Sequence, residues 1–560
     1  MGSVARLFRL VSCQVGSARG RGPLGEGGPS KRYAVFGVAA ILVSLAAAAC
    51  GGDPPQIVDY SPQRNSVDVS TAAPIKITFD HPVDKASVVS RLHLVPVTAG
   101  QVTWTSDRSL VYDHATLRTS TIYQVIIDPG YRDPAGNVYT LRHHWSFVTE
   151  VAPRLAAANP GPGDTGVDPS SYLTLDFTRA MNPLTLKSAI AINPGTPFDV
   201  RLDPADPRRA IIAPAQLLQP TSSYELQVSV AASDIDGNQL SRDETIDFKT
   251  SGVRPLHHWI AFTAEAPDGS TGGSLWIVNE SGFPRQIFAN TAVKSFSWSP
   301  DGASLLVQGS DDSWWRYTPG GDATRLTFKA TWAAALAGDM GYVYLDDRGQ
   351  LHRLDATGGD DVIASDIAEA AVAPDGLRLA FVHNLDNPNA ISGYDVALRA
   401  SYLLVTDTAP ISGLAWDPSG KHLAYLRHDA SAITLRVRSL TGAATTTTVS
   451  SGAIGQPAWL PDSTHIVFSA GIVTPTGAAQ KAFVVNVVSP PASLTASAAL
   501  PSDPSIEVTS PVSSPDGHQI AFLSGNQVWL MNADGTRPTA LTKEDASFPY
   551  SCRALAWTRS

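Results

Sequence analysis

The chain has 560 residues, 43% of them apolar, and a formal charge of −10. That length calls for several domains, and the apolar share allows each one its own core. Six basic residues against Glu26 put residues 1–49 at +5, so the remainder carries −15. An acidic body lacks the basic patches that phosphate backbones require, which excludes nucleic acid as a partner.

Lys31 and Arg32 precede the apolar run YAVFGVAAILVSLAAAA at 33–49, and Cys50-Gly51-Gly52 follows. A basic flank, a short apolar core and small residues before a cleavage point make an export signal. The run has 17 residues, short of the ~20 a membrane-spanning helix needs. Its end, AAAC, resembles the lipobox of bacterial lipoproteins, with Ala47 where that family prefers Leu. The resemblance implies cleavage before Cys50 and lipidation of its thiol. An uncleaved anchor or an ordinary signal peptide is the alternative. Residues 1–49 are therefore expected to be a signal peptide with a long basic region, and 50–57 a lipidated tether. Besides Cys50 there are only Cys13 and Cys552, too few for a disulfide framework.

Residues 58–150 and 151–252 read as two copies of one module. ITFDHPVD (77–84) answers to LDFTRAMN (175–182), Tyr123 to Tyr224, RDPAGN (132–137) to SDIDGN (233–238), and SFVT (146–149) to DFKT (247–250). The offset is 98 at Phe79/Phe177 and 101 at Asn137/Asn238. Short alternating runs between Gly, Pro and Asp turns, in units of about 100 residues, predict immunoglobulin-like β-sandwiches. The pattern resembles the bacterial Ig-like domains of surface-layer proteins, with Val83 where that family prefers Met. The resemblance implies spacers or adhesive stalks. Asp234, Asp236 and Asn238, like Asp133 and Asn137, suggest calcium. The ligand run stops short of a full Ca²⁺ loop, so a plain turn is the favoured reading and no cofactor is expected.

Residues 253–560 repeat a different unit. FSWSPDG (296–302) returns, altered, at 370–376, 413–420, 456–463 and 511–517. Pro presets φ for a β-turn, Asp bonds the backbone locally, and Gly tolerates positive φ. Pro300, Asp301 and Gly302, Pro374, Asp375 and Gly376, Pro418 and Gly420, Pro461 and Asp462, and Pro515, Asp516 and Gly517 therefore read as hairpin turns, not as ligands or acids. Trp298, Trp416, Trp459 and Trp557 read as wedges between sheets. With Leu336, Val372 and Ser513 they space the repeats by 38, 36, 44, 43, 54 and 44 residues. Four-stranded blades need about 40–45 residues, so the fold class is all-β, two Ig-like sandwiches followed by a seven-bladed β-propeller, with six or eight blades as the alternatives. WIAFTAEA (259–266) lacks a first strand and CRALAWTRS (552–560) supplies one, so the C-terminal strand is expected to close the ring. The repeat resembles the TolB-like and WD-type propellers of exported bacterial proteins. An exported lipoprotein with a terminal propeller is also similar to the actinobacterial accessory lipoproteins of envelope sensor kinases, from which the Ig-like pair departs.

Chemistry is sparse. No G-x-S-x-G, H-E-x-x-H, Walker A or G-x-G-x-x-G occurs. Neighbouring histidines His143-His144 and His257-His258 point to opposite faces of a strand and cannot share one metal. Asp311-Asp312 and Asp360-Asp361 are expected in blade turns. Trp314-Trp315 is expected to put one ring into the core and leave the other exposed, with packing between blades as the alternative. Two longer excursions, 383–395 and 469–481, are expected between second and third strands, where insertions build binding surfaces. The expected function is a cell-envelope lipoprotein that binds a protein or glycan without catalysis. A glycan lyase or hydrolase on the propeller face and a purely structural surface protein are the alternatives.

Overall fold

A computed structural model describes residues 52–559 apart from 267–272, 339, 443–444, 475–476, 496–497 and 545–547. The expected signal segment 1–49 and Cys50 lie outside the described residues. The described chain is almost entirely strand, and none of its helices is long and apolar enough to cross a membrane.

The first domain packs a four-stranded sheet, ordered Ile57–Ser61, Ile75–Phe79, Ser109–His114, Gly100–Trp104, on a three-stranded one of Leu92–Val95, Ile122–Ile127 and His143–Val148. Alternation drives the packing: Ile75, Ile77 and Phe79 are fully buried while Lys76 between them is exposed. Each such buried side chain contributes about 2 kcal/mol. Leu173, Leu175 and Phe177 repeat the pattern in the second domain. Tyr123 and Tyr224 also correspond. Their hydroxyls accept from Arg118 N at 3.1 Å and Gln219 N at 2.8 Å, and their rings stack on Phe147 and Phe248. The chain enters the first domain pinned: Pro55 is buried, Gln56 N donates to Asp80 Oδ1, and Gln56 O accepts from Asp80 N.

Two short helices, Lys85–Val89 and Pro183–Ala189, interrupt the strands. The all-strand reading passed over them. The signal was Asn182-Pro183: Asn182 caps Leu184 N at 3.0 Å, and Pro183 presets the first helical φ.

From residue 260 onward the described residues form seven sheets in succession, the repeating layers of a β-propeller. Six follow chain order. The other is ordered Arg285–Phe288, Ser274–Val278, Ile260–Glu265, Ser551–Trp557, with Ile260 opposite Trp557. Three expectations need correction. Asp360-Asp361 open the strand Asp360–Ala364 instead of a turn, because Asp355 closes the preceding turn first, accepting from Thr357 N and Gly359 N. Within segment 469–481, residues 469–474 and 477–481 are strand, with His465–Thr474 and Gly477–Asn486 paired as far as Thr474 opposite Gly477. Of 383–395, only 384–389 is loop, and Ala390–Asp395 is the third strand.

Candidate functional site

The recurring turns close on themselves. Asp301 Oδ1 accepts from Ser299 Oγ at 2.6 Å and Ala303 N at 3.0 Å. Asp516 Oδ1 accepts likewise from Ser514 Oγ at 2.6 Å and His518 N at 3.0 Å. Asp375 and Asp462 cap Leu377 N and Thr464 N. Gly302, Gly376, Gly420 and Gly517 take φ of 70°, 66°, 65° and 75°, which side chains resist. Pro300, Pro374, Pro418, Pro461 and Pro515 precede them at the turn entrance. Hydrogen bonds from Ser514 hold the Asp516 carboxyl down at about 2 despite partial burial. In the Asp301 and Asp516 turns Oδ1 is the oxygen committed to the backbone and the serine hydroxyl.

Neighbouring turns meet. Ala337 N donates to Gly376 O at 3.1 Å, His258 Nε2 lies 3.6 Å from Asp516, and a β-carbon built on Gly302 would touch the Arg559 side chain. Tryptophans bridge the sheets: Trp416 Nε1 donates to Ala371 O, Trp459 Nε1 to Ala415 O, and Trp557 Nε1 to Val512 O, each on the innermost strand of the preceding sheet. Buried Trp298 has no hydrogen-bond partner for Nε1 among the described residues. Trp314 is buried and donates to Ala330 O, while Trp315 meets Phe288 of the neighbouring sheet edge-on.

These turns lie at the end of the head that faces the stalk. Arg285, fully buried, donates to Ser170 O at 2.7 Å and Ser171 O at 3.1 Å of the second Ig-like domain. Its guanidinium lies 4.2 Å from the Tyr172 ring centre. Burial pulls the Arg285 pKa down to about 10 and pushes that of Tyr172 up to about 12. Tyr172 Oη in turn donates to Asn279 Oδ1 and Phe283 O. Beside this joint lies a cleft of about 830 Å³ walled by Phe198, Arg201, Trp276, Phe283 and Lys543. In antiparallel sheets, the turns between second and third strands lie at the opposite end. That end carries the hairpin 465–486 and loop 384–389, with Val473 85% and Leu385 79% exposed. Asp366 Oδ2 holds the loop, accepting from Leu385 N and Asp386 N.

The two Ig-like domains join through a polar cluster that sequence reasoning did not foresee. Asn238 Nδ2 donates to Glu150 Oε1 at 2.7 Å, and Thr71 Oγ1 to Asn238 Oδ1 at 2.6 Å. Arg179 pairs with Glu150, with Asp68 at 3.0 Å and with Asp234 at 3.5 Å. Among the described residues, Glu150, Asp234 and Asp236 bring carboxylate oxygens within 4.8 Å of one another. Arg179 is the cation that Glu150 and Asp234 meet in this structure, and together they tie the two domains. The first copy, Asp133 and Asn137, bonds only within its own turn. A group with catalytic residue types, Tyr344, His352 and Asp360, sits on the flank of one sheet. Tyr344 Oη donates to Asp360 Oδ2 at 2.6 Å and its ring stacks on His352. Burial raises the Tyr344 pKa, which keeps it a donor. His143 begins a strand, and burial lowers its pKa.

Residues 52–149 and 150–250 each match the bacterial Ig-like domain family. Residues 52–250 are a pair of bacterial Ig-like domains. No curated protein matches the chain. Solved structures similar to it include TolB from Acinetobacter baumannii, at 14% identity over 63% of this chain and 83% of that one, TM-score 0.34. The β-propeller domain of Cps50 (Swd1) from Myceliophteria thermophila shows 13% identity over 49% and 95%, TM-score 0.35. An oligogalacturonate lyase from Vibrio parahaemolyticus shows 11% over 52% and 87%, TM-score 0.35. At these identities the likeness concerns the fold and not a ligand.

Proposed function

We propose that this chain is an exported lipoprotein, anchored through Cys50, whose Ig-like pair holds a closed seven-bladed propeller away from the membrane to bind an envelope or extracellular protein or glycan. One observation carries the reading. The head is bolted to the stalk at its turn end through Arg285, and the exposed Val473 and Leu385 lie at the free end. Exposed apolar residues on a rigid distal rim are what a recognition surface offers. Support for closure comes from the Ser551–Trp557 strand lying between Ile260–Glu265 and the neighbouring sheet, bonded to both. At the other end the acidic residues serve the turns themselves, with Oδ1 accepting from a serine hydroxyl and a backbone amide. The test is crosslinking in cells followed by capture of the tagged chain. A stoichiometric partner lost on deleting 251–560 supports the proposal. Recovery that survives the deletion, or no recovery above a Cys50→Ser control, overturns it.

A further inference from the structure

Equivalent ends of the two Ig-like domains are built differently. In the second domain the end formed by Arg179, Asp234, Asp236 and Asn238 grips the first domain. Ser70 Oγ donates to Asp236 Oδ1 at 2.8 Å, and Glu150 is held by both Asn238 and Arg179. The internal repeat puts His81 where Arg179 stands, Ala135 where Asp236 stands and Gly52 where Glu150 stands. Gly52 lies in the matching place, since a β-carbon built on it would sit 3.1 Å from Asn137 Nδ2. Asn137 bonds only inward, its Nδ2 to Asp133 Oδ2 at 2.6 Å. The first domain thus keeps the fold of this end and lacks the groups that bolt a protein neighbour onto it.

What takes the neighbour's place follows from chain length. Residues 56–57 are already tied into the sheet, and Gly52 rests on the tip. One residue, Gly51, lies between Gly52 and Cys50, and the two chain steps reach about 7 Å. The tip itself, Pro134-Ala135-Gly136, is exposed and uncharged, and Val138 beside it is 44% exposed. The flanking Arg132 is neutralised by Asp84 at 3.0 Å. Small apolar residues with no net charge suit the headgroup region of a bilayer.

We infer that the tip 132–138 of the first Ig-like domain rests on the lipid surface, so that the stalk stands on the membrane instead of swinging from a tether. This rests on the anchored reading of the function. It holds equally for a lipid on Cys50 and for a retained run 33–49, since both end within three residues of Gly52. The test uses the full chain in phosphatidylcholine–phosphatidylglycerol vesicles containing a headgroup-nitroxide lipid, in a Cys13→Ser background, with Cys50→Ser added for protein that retains the run 33–49. A fluorophore is placed at Ala135→Cys, with Leu385→Cys as the distal control. The label at 135 should lose most of its emission and the label at 385 none. Val138→Cys gives the second reading if Ala135→Cys fails to fold. Equal emission at 135 and 385, in protein whose mass shows an acylated Cys50 or a retained run, overturns the inference and leaves the anchor standing. Protein that carries neither anchor and does not float with the vesicles overturns both.

Discussion

Arg179 is the side chain that holds the joint between the two Ig-like domains together. Glu150 is 1% exposed, and a buried carboxylate stripped of its cation is costly. Arg179→Ala should therefore lower stability by about 3 kcal/mol in urea melts of the Ig-like pair. If the joint were a calcium site, added calcium would restore that loss; the expected result is that it does not. Asp516 makes a separate case for pH. Its folded pKa, about 2, lies below the ordinary 3.8. Between those values the unfolded chain binds more protons, so the stabilisation is complete above about pH 4 and disappears as pH falls toward 2. The side chain is 44% exposed, which screens the effect to less than about 1 kcal/mol. Asp516→Asn should flatten this part of the melting-temperature profile by lowering stability at pH 6–8 by less than about 1 kcal/mol, toward the level the unmutated chain reaches near pH 2.

At the scale of elements, the strand Ser551–Trp557 decides whether the head is one cooperative unit. It pairs with residues some 290 positions earlier in the chain and buries Cys552 and Trp557. Deleting 551–560 should lower the melting temperature of the entire head, and an unchanged transition would remove this strand from the account. Cys552 reports the same event without a deletion. Burial pushes its thiol up to about 11, so maleimide should not label it in the native state, and labelling should appear only together with unfolding. Much at this scale was legible in the sequence. The Ig-like pair was readable because each copy repeats its turn, its Tyr corner and its last strand at a constant offset. The strand ends were less readable. Residues 469–481 look like a loop because Gly, Thr and Pro are turn formers, yet cross-strand pairing continues as far as Thr474 opposite Gly477. Asp360-Asp361 look like a turn because local composition does not show that Asp355 has already closed one.

For the whole molecule, the joints matter most and the sequence concealed them. Glu150 finds Asn238 across 88 residues and Arg285 finds Ser170 across 115, and no local pattern marks either pair. Arg285 looks like an ordinary strand residue until its guanidinium is seen under Tyr172 and against two carbonyls. Arg285→Ala should leave both parts folded and free the head from the stalk, seen as a larger radius of gyration and a broader distance distribution in small-angle scattering. An unchanged scattering curve would assign the rigidity to other contacts. The central claim is that recognition belongs to the end of the head turned away from the stalk. It is tested most directly with a photo-crosslinking residue placed in living cells at Val473, on the distal hairpin, and in a second strain at Arg537, in a turn at the stalk-facing end. The account expects one discrete adduct from position 473 and none from 537. An adduct from 537 with none from 473 would contradict it.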